Sequence, residues 1–124
     1  MARVLVVEDD DTVREVVIAH LRRGGHRVLD ARSAEDALEI VSDRSPPDVA
    51  VVDLGLPAMD GFALADELHR RPECHELPVV FLTGRVEHEQ VEAGRRAGSA
   101  YLTKPFIASA LLDAIERSLP ERAW

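Results

Sequence analysis

Short apolar runs rich in β-branched residues alternate along this chain with longer segments of helical period. The runs at 4–7, 49–52 and 79–82 are continuously apolar, as expected for central strands that are buried on both faces of a sheet. Shorter, more mixed runs at 27–29 and 100–102 are typical of strands nearer the edges. Five strand and helix pairs in this order predict an α/β fold, a doubly wound parallel sheet with helices on both faces.

Start and stop signals between these runs predict five helices. Their approximate extents are from Asp11 to Gly24, from Ser33 to Pro46, 61–71, 87–97 and 108–119. In the first helix, apolar residues recur at helical spacing at Val13, Val16, Val17, Ala19 and Leu21. The fourth has few large apolar residues and contains Gly94, so we expect it to be the weakest.

Length and charge exclude several classes of protein. The 124 residues are enough for one sizeable core and too few for two. Fifteen basic against twenty-three acidic residues give a net charge of −8, which disfavours nonspecific binding to nucleic acid or to an anionic membrane. The apolar runs are too short to span a bilayer. With one cysteine and no signal-peptide pattern, we expect a cytoplasmic location.

Polar residues follow the predicted strands at the point where each strand ends. Since the carboxyl ends of parallel strands meet at one edge of the sheet, we expect a functional site there. The residues concerned are Glu8, Asp9, Asp10, Asp53, Thr83 and Lys104. At least three carboxylates at one edge repel each other by several kcal/mol unless a cation joins them. Oxygen ligands with no cysteine or histidine nearby favour a hard ion, and Mg²⁺ in particular.

Lys104 is the only lysine in the chain, and the other fourteen basic residues are arginines. A lysine in that background indicates a site that uses a compact point charge on a flexible stem, such as one contacting a phosphate or carboxylate oxygen. Pro105 restricts Lys104 to extended backbone, and the bond between them is a candidate for the cis form.

Four segments resemble the receiver domain of bacterial two-component response regulators, the CheY-like family. They are VLVVEDD at 4–10, DLGLPAMDG at 53–61, LTG at 82–84 and YLTKPF at 101–106. Four motifs in this order, each at the end of a predicted strand, are far more specific than any one alone. The resemblance implies a single receiver domain over 1–124 with a flavodoxin-like (βα)5 fold and strand order 2-1-3-4-5.

The resemblance also implies a reaction at Asp53. This residue would attack a phosphoryl group carried by a sensor histidine kinase or a histidine phosphotransfer protein and become an aspartyl phosphate. Mg²⁺ would be held by Glu8, Asp9, Asp53 and the backbone carbonyl of Gly55. Lys104 and the Thr83 hydroxyl would each contact a phosphoryl oxygen.

The same family pattern implies a conformational switch. Phosphorylation would draw Thr83 towards the new group, and Tyr101 would turn into the space that Thr83 leaves. The changed surface would be that of the fourth helix, the fifth strand and the fifth helix, and it could form a phosphorylation-dependent homodimer. The sequence names neither the kinase nor the downstream protein or output domain.

Two other functions remain open from the sequence. One is a pseudo-receiver that binds partners without phosphorylation, and the intact set of acidic residues, threonine and lysine argues against it. The other is a hydrolase with an aspartyl-phosphate intermediate, but such enzymes carry a second aspartate two residues after the nucleophile, where this chain has Gly55. We expect no enzyme activity beyond assisted phosphorylation and slow dephosphorylation.

Single residues of the site also have simpler interpretations. Asp10 or Asp11 could cap the first helix, and Asp53 alone could be a turn residue. Tyr101 must pack in the core whatever else it does. Cys74 and its neighbouring histidines are interpreted as a polar loop, because their spacing fits no common zinc-ligand pattern.

Overall fold

The computed structural model describes residues 2–43, 46–84 and 100–120, in which five parallel strands form one sheet. The strands are β1 (Arg3–Val7), β2 (Arg27–Ala31), β3 (Val49–Asp53), β4 (Val79–Thr83) and β5 (Ala100–Thr103). Their order is β2-β1-β3-β4-β5, and every neighbouring pair is parallel. This confirms the predicted order, with the three continuously apolar runs inside and the two mixed runs at the edges.

The described helices lie between and after these strands. They are α1 (Asp11–Arg23), α2 (Ala34–Asp43), α3 (Gly61–His69), a 3₁₀ helix (Pro72–Cys74) and a C-terminal helix (Ala108–Ser118). The helix predicted at 87–97 lies outside the described residues. Among the helices in the described ranges, none has the length and apolar character to cross a membrane.

The end of α3 differs from the prediction of a helix over 61–71. The helix stops at His69, and Arg71 has extended backbone, with φ −80° and ψ 131°. The following Pro72 disfavours helical backbone in the residue before it, so the chain leaves the helix before Arg71. The C-terminal helix likewise ends at Ser118, one residue short of the prediction.

Two apolar layers cover the two faces of the sheet. One lies between the sheet and the helices α2 and α3, and the other between the sheet and α1 with the C-terminal helix. Successive side chains of a strand point to opposite faces, so Val4 and Val6 join one layer while Leu5 and Val7 join the other. Burial on both sides explains why the central strands are apolar at nearly every position.

The inner face of α1 differs from the apolar stripe read in the sequence. Val17 and Leu21 are buried, as expected, but Val16 is 45% exposed. Ala19 is exposed as well, and Arg14 is buried in the stripe instead, at 5% exposed. Positions 14, 17 and 21 recur at helical spacing on one side, whereas Val16 and Ala19 lie off that stripe. The sheet-facing side of this helix therefore carries a cation at its first turn.

The helix ends follow the predicted capping chemistry in most respects. The Asp10 side chain caps α1 by accepting a hydrogen bond of 2.9 Å from the backbone of its first turn. The Ser33 hydroxyl accepts from the Asp36 backbone N–H at 3.1 Å. The return bond of a capping box is absent among the described contacts, because Asp36 accepts instead from the backbone of Arg32 at 3.4 Å.

Cys74 corrects the interpretation of its segment as a polar loop. It lies in the 3₁₀ helix and is 1% exposed, within the apolar layer that includes α3. Its backbone N–H donates to the carbonyl of Arg71 at 3.0 Å. The thiol is therefore part of the core, and burial raises its pKa.

Candidate functional site

Three neighbouring strands deliver acidic or polar residues to the same edge of the sheet. Glu8 follows β1, Asp53 ends β3 and Thr83 ends β4. The strands β1, β3 and β4 lie side by side, and Asp53 is the register partner of Leu82. The structure therefore confirms that these residues lie together at the carboxyl ends of parallel strands.

Three carboxylates converge at this edge. One ligand atom from each of Glu8, Asp9 and Asp53 lies within 4.8 Å of the others. Glu8 is fully buried and Asp53 is 5% exposed, whereas Asp9 is exposed. The group thus has a buried floor of two carboxylates and an open side at Asp9, from which an ion or a substrate could enter.

Lys104 reaches the same group from the loop after β5. Its ammonium Nζ lies 2.9 Å from Glu8 Oε1 and 3.3 Å from Asp53 Oδ1. Burial acts to lower the pKa of Lys104, but the two carboxylates outweigh it and the pKa is raised. The bond from Lys104 to Pro105 is cis, as the sequence allowed. The only lysine of the chain is therefore a charged partner of the carboxylates.

The charges of the site are unbalanced without a further cation. Burial raises the pKa of Glu8 to about 7, and the nearby Asp53 adds to the rise, although Lys104 and the Asp10 N–H oppose it. Glu8 Oε1 is buried, and among the described residues its one close donor is the Lys104 ammonium at 2.9 Å, which is shared with Asp53. Three converging carboxylates that share a single ammonium fit a hard divalent cation such as Mg²⁺.

The loop after β3 shapes the surroundings of Asp53. The Gly55 backbone N–H donates to Asp53 Oδ1 at 3.2 Å, and Gly55 is itself exposed. Ala58 has a φ of 67°, a left-handed conformation that alanine rarely adopts. Asp60 then caps α3 by accepting a hydrogen bond from the backbone of its first turn at 2.8 Å.

Thr83 and Tyr101 lie on neighbouring strands beside this cluster. Thr83 is buried, and its hydroxyl donates to the Gly84 carbonyl at 3.0 Å. Tyr101 pairs in register with Phe81 and stacks on its ring, with centroids 5.4 Å apart. It also meets Phe62 edge-on at 6.5 Å, so its packing role is confirmed. The structure thus brings Glu8, Asp9, Asp53 and Lys104 into one cluster and holds Thr83 and Tyr101 beside it.

Two residues near the site were given no role in it from the sequence: Gly61 was only the last residue of a motif and the start of a predicted helix, and Arg14 was not considered. A Cβ at Gly61 would lie 2.7 Å from the Asp53 carbonyl oxygen, so only glycine fits there. Arg14 donates from Nη1 to the Glu8 carbonyl at 3.0 Å. A glycine at a helix start and an arginine in a first turn are common in helices of any function, and only the folded contacts set them apart.

A doubly wound parallel sheet with an acidic cluster and a lysine at its carboxyl edge defines the class of site. The family model of the response regulator receiver domain matches residues 4–116. This chain therefore belongs to the receiver domains of two-component response regulators, and the resemblance of the four motifs is confirmed.

Relatives of known name agree with this family. The chain is 36% identical over 123 residues to the transcriptional regulatory protein AfsQ1 of Streptomyces coelicolor, a match covering 98% of this chain and 52% of AfsQ1. It is 32% identical over 120 residues to protein PilH of Pseudomonas aeruginosa, covering 96% of this chain and 98% of PilH. Its fold is similar to that of the chemotaxis response regulator CheY4 of Vibrio cholerae, with a TM-score of 0.85 and 29% identity over 96% of this chain and 99% of CheY4. The chain thus spans about half the length of AfsQ1 and nearly all of PilH and CheY4.

Proposed function

We propose that this chain is a phosphorylatable signalling switch in which Asp53 accepts a phosphoryl group from a sensor histidine kinase or a histidine phosphotransfer protein. The observation that carries the proposal is the grouping of Glu8, Asp9 and Asp53 within 4.8 Å. The Lys104 ammonium lies 3.3 Å from Asp53 Oδ1. A nucleophilic carboxylate beside a cation site and a lysine meets the electrostatic needs of phosphoryl transfer between anions.

The proposed cation is Mg²⁺, held by Glu8, Asp9, Asp53 and the backbone carbonyl of Gly55. When bound, it would offset the repulsion between the carboxylate and the incoming phosphoryl oxygens. Support comes from the convergence of three carboxylates that share one ammonium, and from the oxygen-only chemistry of the cluster.

In the proposed step, an oxygen of the Asp53 carboxylate forms a bond to phosphorus. At the same time the bond from phosphorus to the donor's imidazole nitrogen breaks, and the imidazole leaves as a neutral ring with its proton on the other nitrogen. Lys104 exchanges its contact with Asp53 for one with a phosphoryl oxygen. The Thr83 hydroxyl turns from the Gly84 carbonyl, where it donates at 3.0 Å, to another phosphoryl oxygen.

The switch follows from this movement of Thr83. When its hydroxyl leaves the Gly84 carbonyl, the loop after β4 shifts, and Tyr101 repacks against the space that opens. The proposed output surface combines the segment predicted as a helix at 87–97, which lies outside the described residues, with β5 and the C-terminal helix. A downstream protein, an attached output domain or a second phosphorylated copy would bind there, in the cytoplasm and without direct contact to nucleic acid or membrane.

The proposal treats residues 1–124 as one receiver domain and not as an enzyme that turns over a separate substrate. Its side chains would assist only its own phosphorylation and slow dephosphorylation. A hydrolase would need an acid or base two residues past Asp53, and Gly55 has no side chain to supply one; its backbone N–H donates to Asp53 Oδ1 at 3.2 Å.

Labelling by acetyl phosphate tests the proposal directly. With Mg²⁺ present, the intact mass of the wild-type chain should rise by one phosphoryl group, and no label should form when Mg²⁺ is chelated before acetyl phosphate is added. Asp53→Asn should remove the label. Asp60→Asn is the matched control, because it changes an aspartate of the same loop while asparagine caps α3 equally well, and it should keep the label.

Each alternative predicts a different result in the same assay. A wild-type chain that stays unmodified with Mg²⁺ and acetyl phosphate would contradict the proposal and favour a pseudo-receiver. Continuous release of phosphate from an ester, far exceeding one turnover per chain, would favour the hydrolase.

A further inference from the structure

Arg14 is a buried arginine that joins the end of β1 to the start of α1. Its Nη1 donates to the backbone carbonyl of Glu8 at 3.0 Å, and its Nη2 forms an ion pair with the carboxylate of Asp11. The whole residue is 5% exposed. A guanidinium is a planar, rigid fork of donors, so a single side chain can hold both partners in fixed relative positions.

The segment between these two partners carries the acidic cluster. Glu8 and Asp9 contribute ligand atoms to the group of three carboxylates. Asp10 caps α1, and its backbone N–H donates to Glu8 Oε2 at 3.1 Å. Arg14 therefore closes a short loop, inside which the Glu8 carboxylate is held by the main chain of Asp10.

We propose that Arg14 is a positioning residue for the cation site, fixing the loop from which Glu8 and Asp9 reach the ion. The inference rests on the proposed function in one respect, since it takes these two carboxylates as Mg²⁺ ligands. Arg14 contacts the Glu8 carbonyl rather than its carboxylate, so it acts through the backbone. Groups that orient metal ligands in this way commonly affect metal affinity by about 10-fold to 100-fold when they are removed.

An electrostatic role and a positioning role of Arg14 predict opposite changes in Mg²⁺ affinity when Arg14 is lost. By Coulomb's law alone, removing a positive charge next to a cation site raises the affinity for Mg²⁺. Loss of the fork frees the loop, and the carboxylates must then be ordered by the ion itself, which lowers the affinity. The sign of the change therefore separates a positioning role from a general electrostatic one.

A matched core substitution distinguishes a positioning role of Arg14 from a general contribution of Arg14 to stability. Leu21 is fully buried on the same face of α1, two turns after Arg14, so Leu21→Ala weakens the packing of this helix without touching the loop. Arg22 is exposed near the end of the same helix, so Arg22→Met makes the same change in net charge as Arg14→Met. Arg14→Lys keeps the charge but not the two-sided fork.

The experiment measures Mg²⁺ binding to the full chain by isothermal titration calorimetry and stability by urea unfolding. Arg14→Met should weaken Mg²⁺ binding about 10-fold or more, with Arg14→Lys weakened to a smaller extent. Leu21→Ala and Arg22→Met should stay within about twofold of wild type, even where Leu21→Ala lowers stability as much as Arg14→Met does. Equal or tighter Mg²⁺ binding by a folded Arg14→Met would overturn the inference.

Amide hydrogen exchange of the metal-free protein supplies a second measurement. In the wild type the Asp10 N–H donates a hydrogen bond to Glu8 Oε2. Loss of the fork in Arg14→Met or Arg14→Lys should speed hydrogen exchange of this amide. In Leu21→Ala its exchange rate should change no more than the loss of global stability requires. Unchanged Asp10 exchange in both Arg14 variants would also overturn the inference. A wild-type chain that binds no Mg²⁺ but shows this effect on Asp10 would refute the proposed function and leave the loop-positioning role of Arg14 standing.

Discussion

Gly61 begins α3 against the main chain of Asp53, and we expect Gly61→Ala to disturb the phosphoacceptor without changing any motif carboxylate. A Cβ at position 61 would lie 2.7 Å from the Asp53 carbonyl oxygen and 3.0 Å from Leu54 Cα. The first distance is about 0.7 Å shorter than 3.4 Å, the lower limit of ordinary van der Waals contact. Both neighbours are backbone atoms and cannot rotate away. Either the start of α3 or the end of β3 must therefore move.

The size of the effect follows from competing contributions. Overpacking of this kind costs about 1–3 kcal/mol, and alanine recovers about 0.5–1 kcal/mol over glycine at a helical position. These ranges give a net loss of about 0–2.5 kcal/mol in the free energy of unfolding, which leaves a typical domain almost entirely folded. A displacement of reacting groups by about 1 Å can slow a reaction up to about 100-fold, so labelling of Asp53 by acetyl phosphate should slow about 10-fold or more.

Gly24→Ala is the control for this prediction. A Cβ at position 24 would lie 2.6 Å from Leu112 Cδ2, the end of a flexible side chain where the C-terminal helix meets α1. Gly24→Ala should lower stability modestly in urea unfolding and leave the labelling rate unchanged. A folded Gly61→Ala that is labelled at the wild-type rate would refute the reasoning that couples the start of α3 to the position of Asp53.

Two further predictions concern stability. Ala58→Gly should raise the free energy of unfolding by about 0.5 kcal/mol, because left-handed backbone costs alanine about 1–2 kcal/mol and glycine's extra freedom in the unfolded chain offsets part of this gain. A lower urea midpoint for Ala58→Gly than for wild type would contradict that assignment of strain. Burial lowers the pKa of His26, so its neutral form, which accepts from the Ala2 N–H at 3.1 Å, is favoured in the folded state. Its contribution is present above the ordinary histidine pKa and is lost as the pH falls, so wild type should lose more stability than His26→Gln between pH 7.5 and 5.5, and equal losses would count against it.

The sheet could be predicted almost fully from the sequence, because burial on both faces leaves a strong signal. A strand such as β3 is buried along its whole length, and a short, continuously apolar run bounded by polar residues is typical of such a strand. The helices were predicted less well where local and tertiary effects compete. Val16 fits an apolar stripe by spacing but is 45% exposed, since the angular position of α1 on the sheet is set by packing that spacing does not specify.

The acidic cluster could be located from the sequence because topology alone brings strand ends together. Parallel neighbours deliver Glu8 and Asp53 to one edge whatever their side-chain conformations, so position along the chain was enough. The distances within the cluster could not be predicted from the sequence, and neither could the sharing of one ammonium between Glu8 and Asp53. Those depend on how the loop between β1 and α1 is folded.

The two residues that were given no role at the site from the sequence share a physical feature, which is that both act on backbone atoms. Arg14 holds the carbonyl of Glu8, and the missing side chain of Gly61 leaves room for the carbonyl of Asp53. Motifs record the side chains that do chemistry, whereas the spacing of those side chains is fixed by the main chain that carries them. A receiver domain can therefore keep every motif carboxylate, its threonine and its lysine and still lose the geometry of its site, and in this chain Arg14 and Gly61 are two positions where a substitution would have that effect.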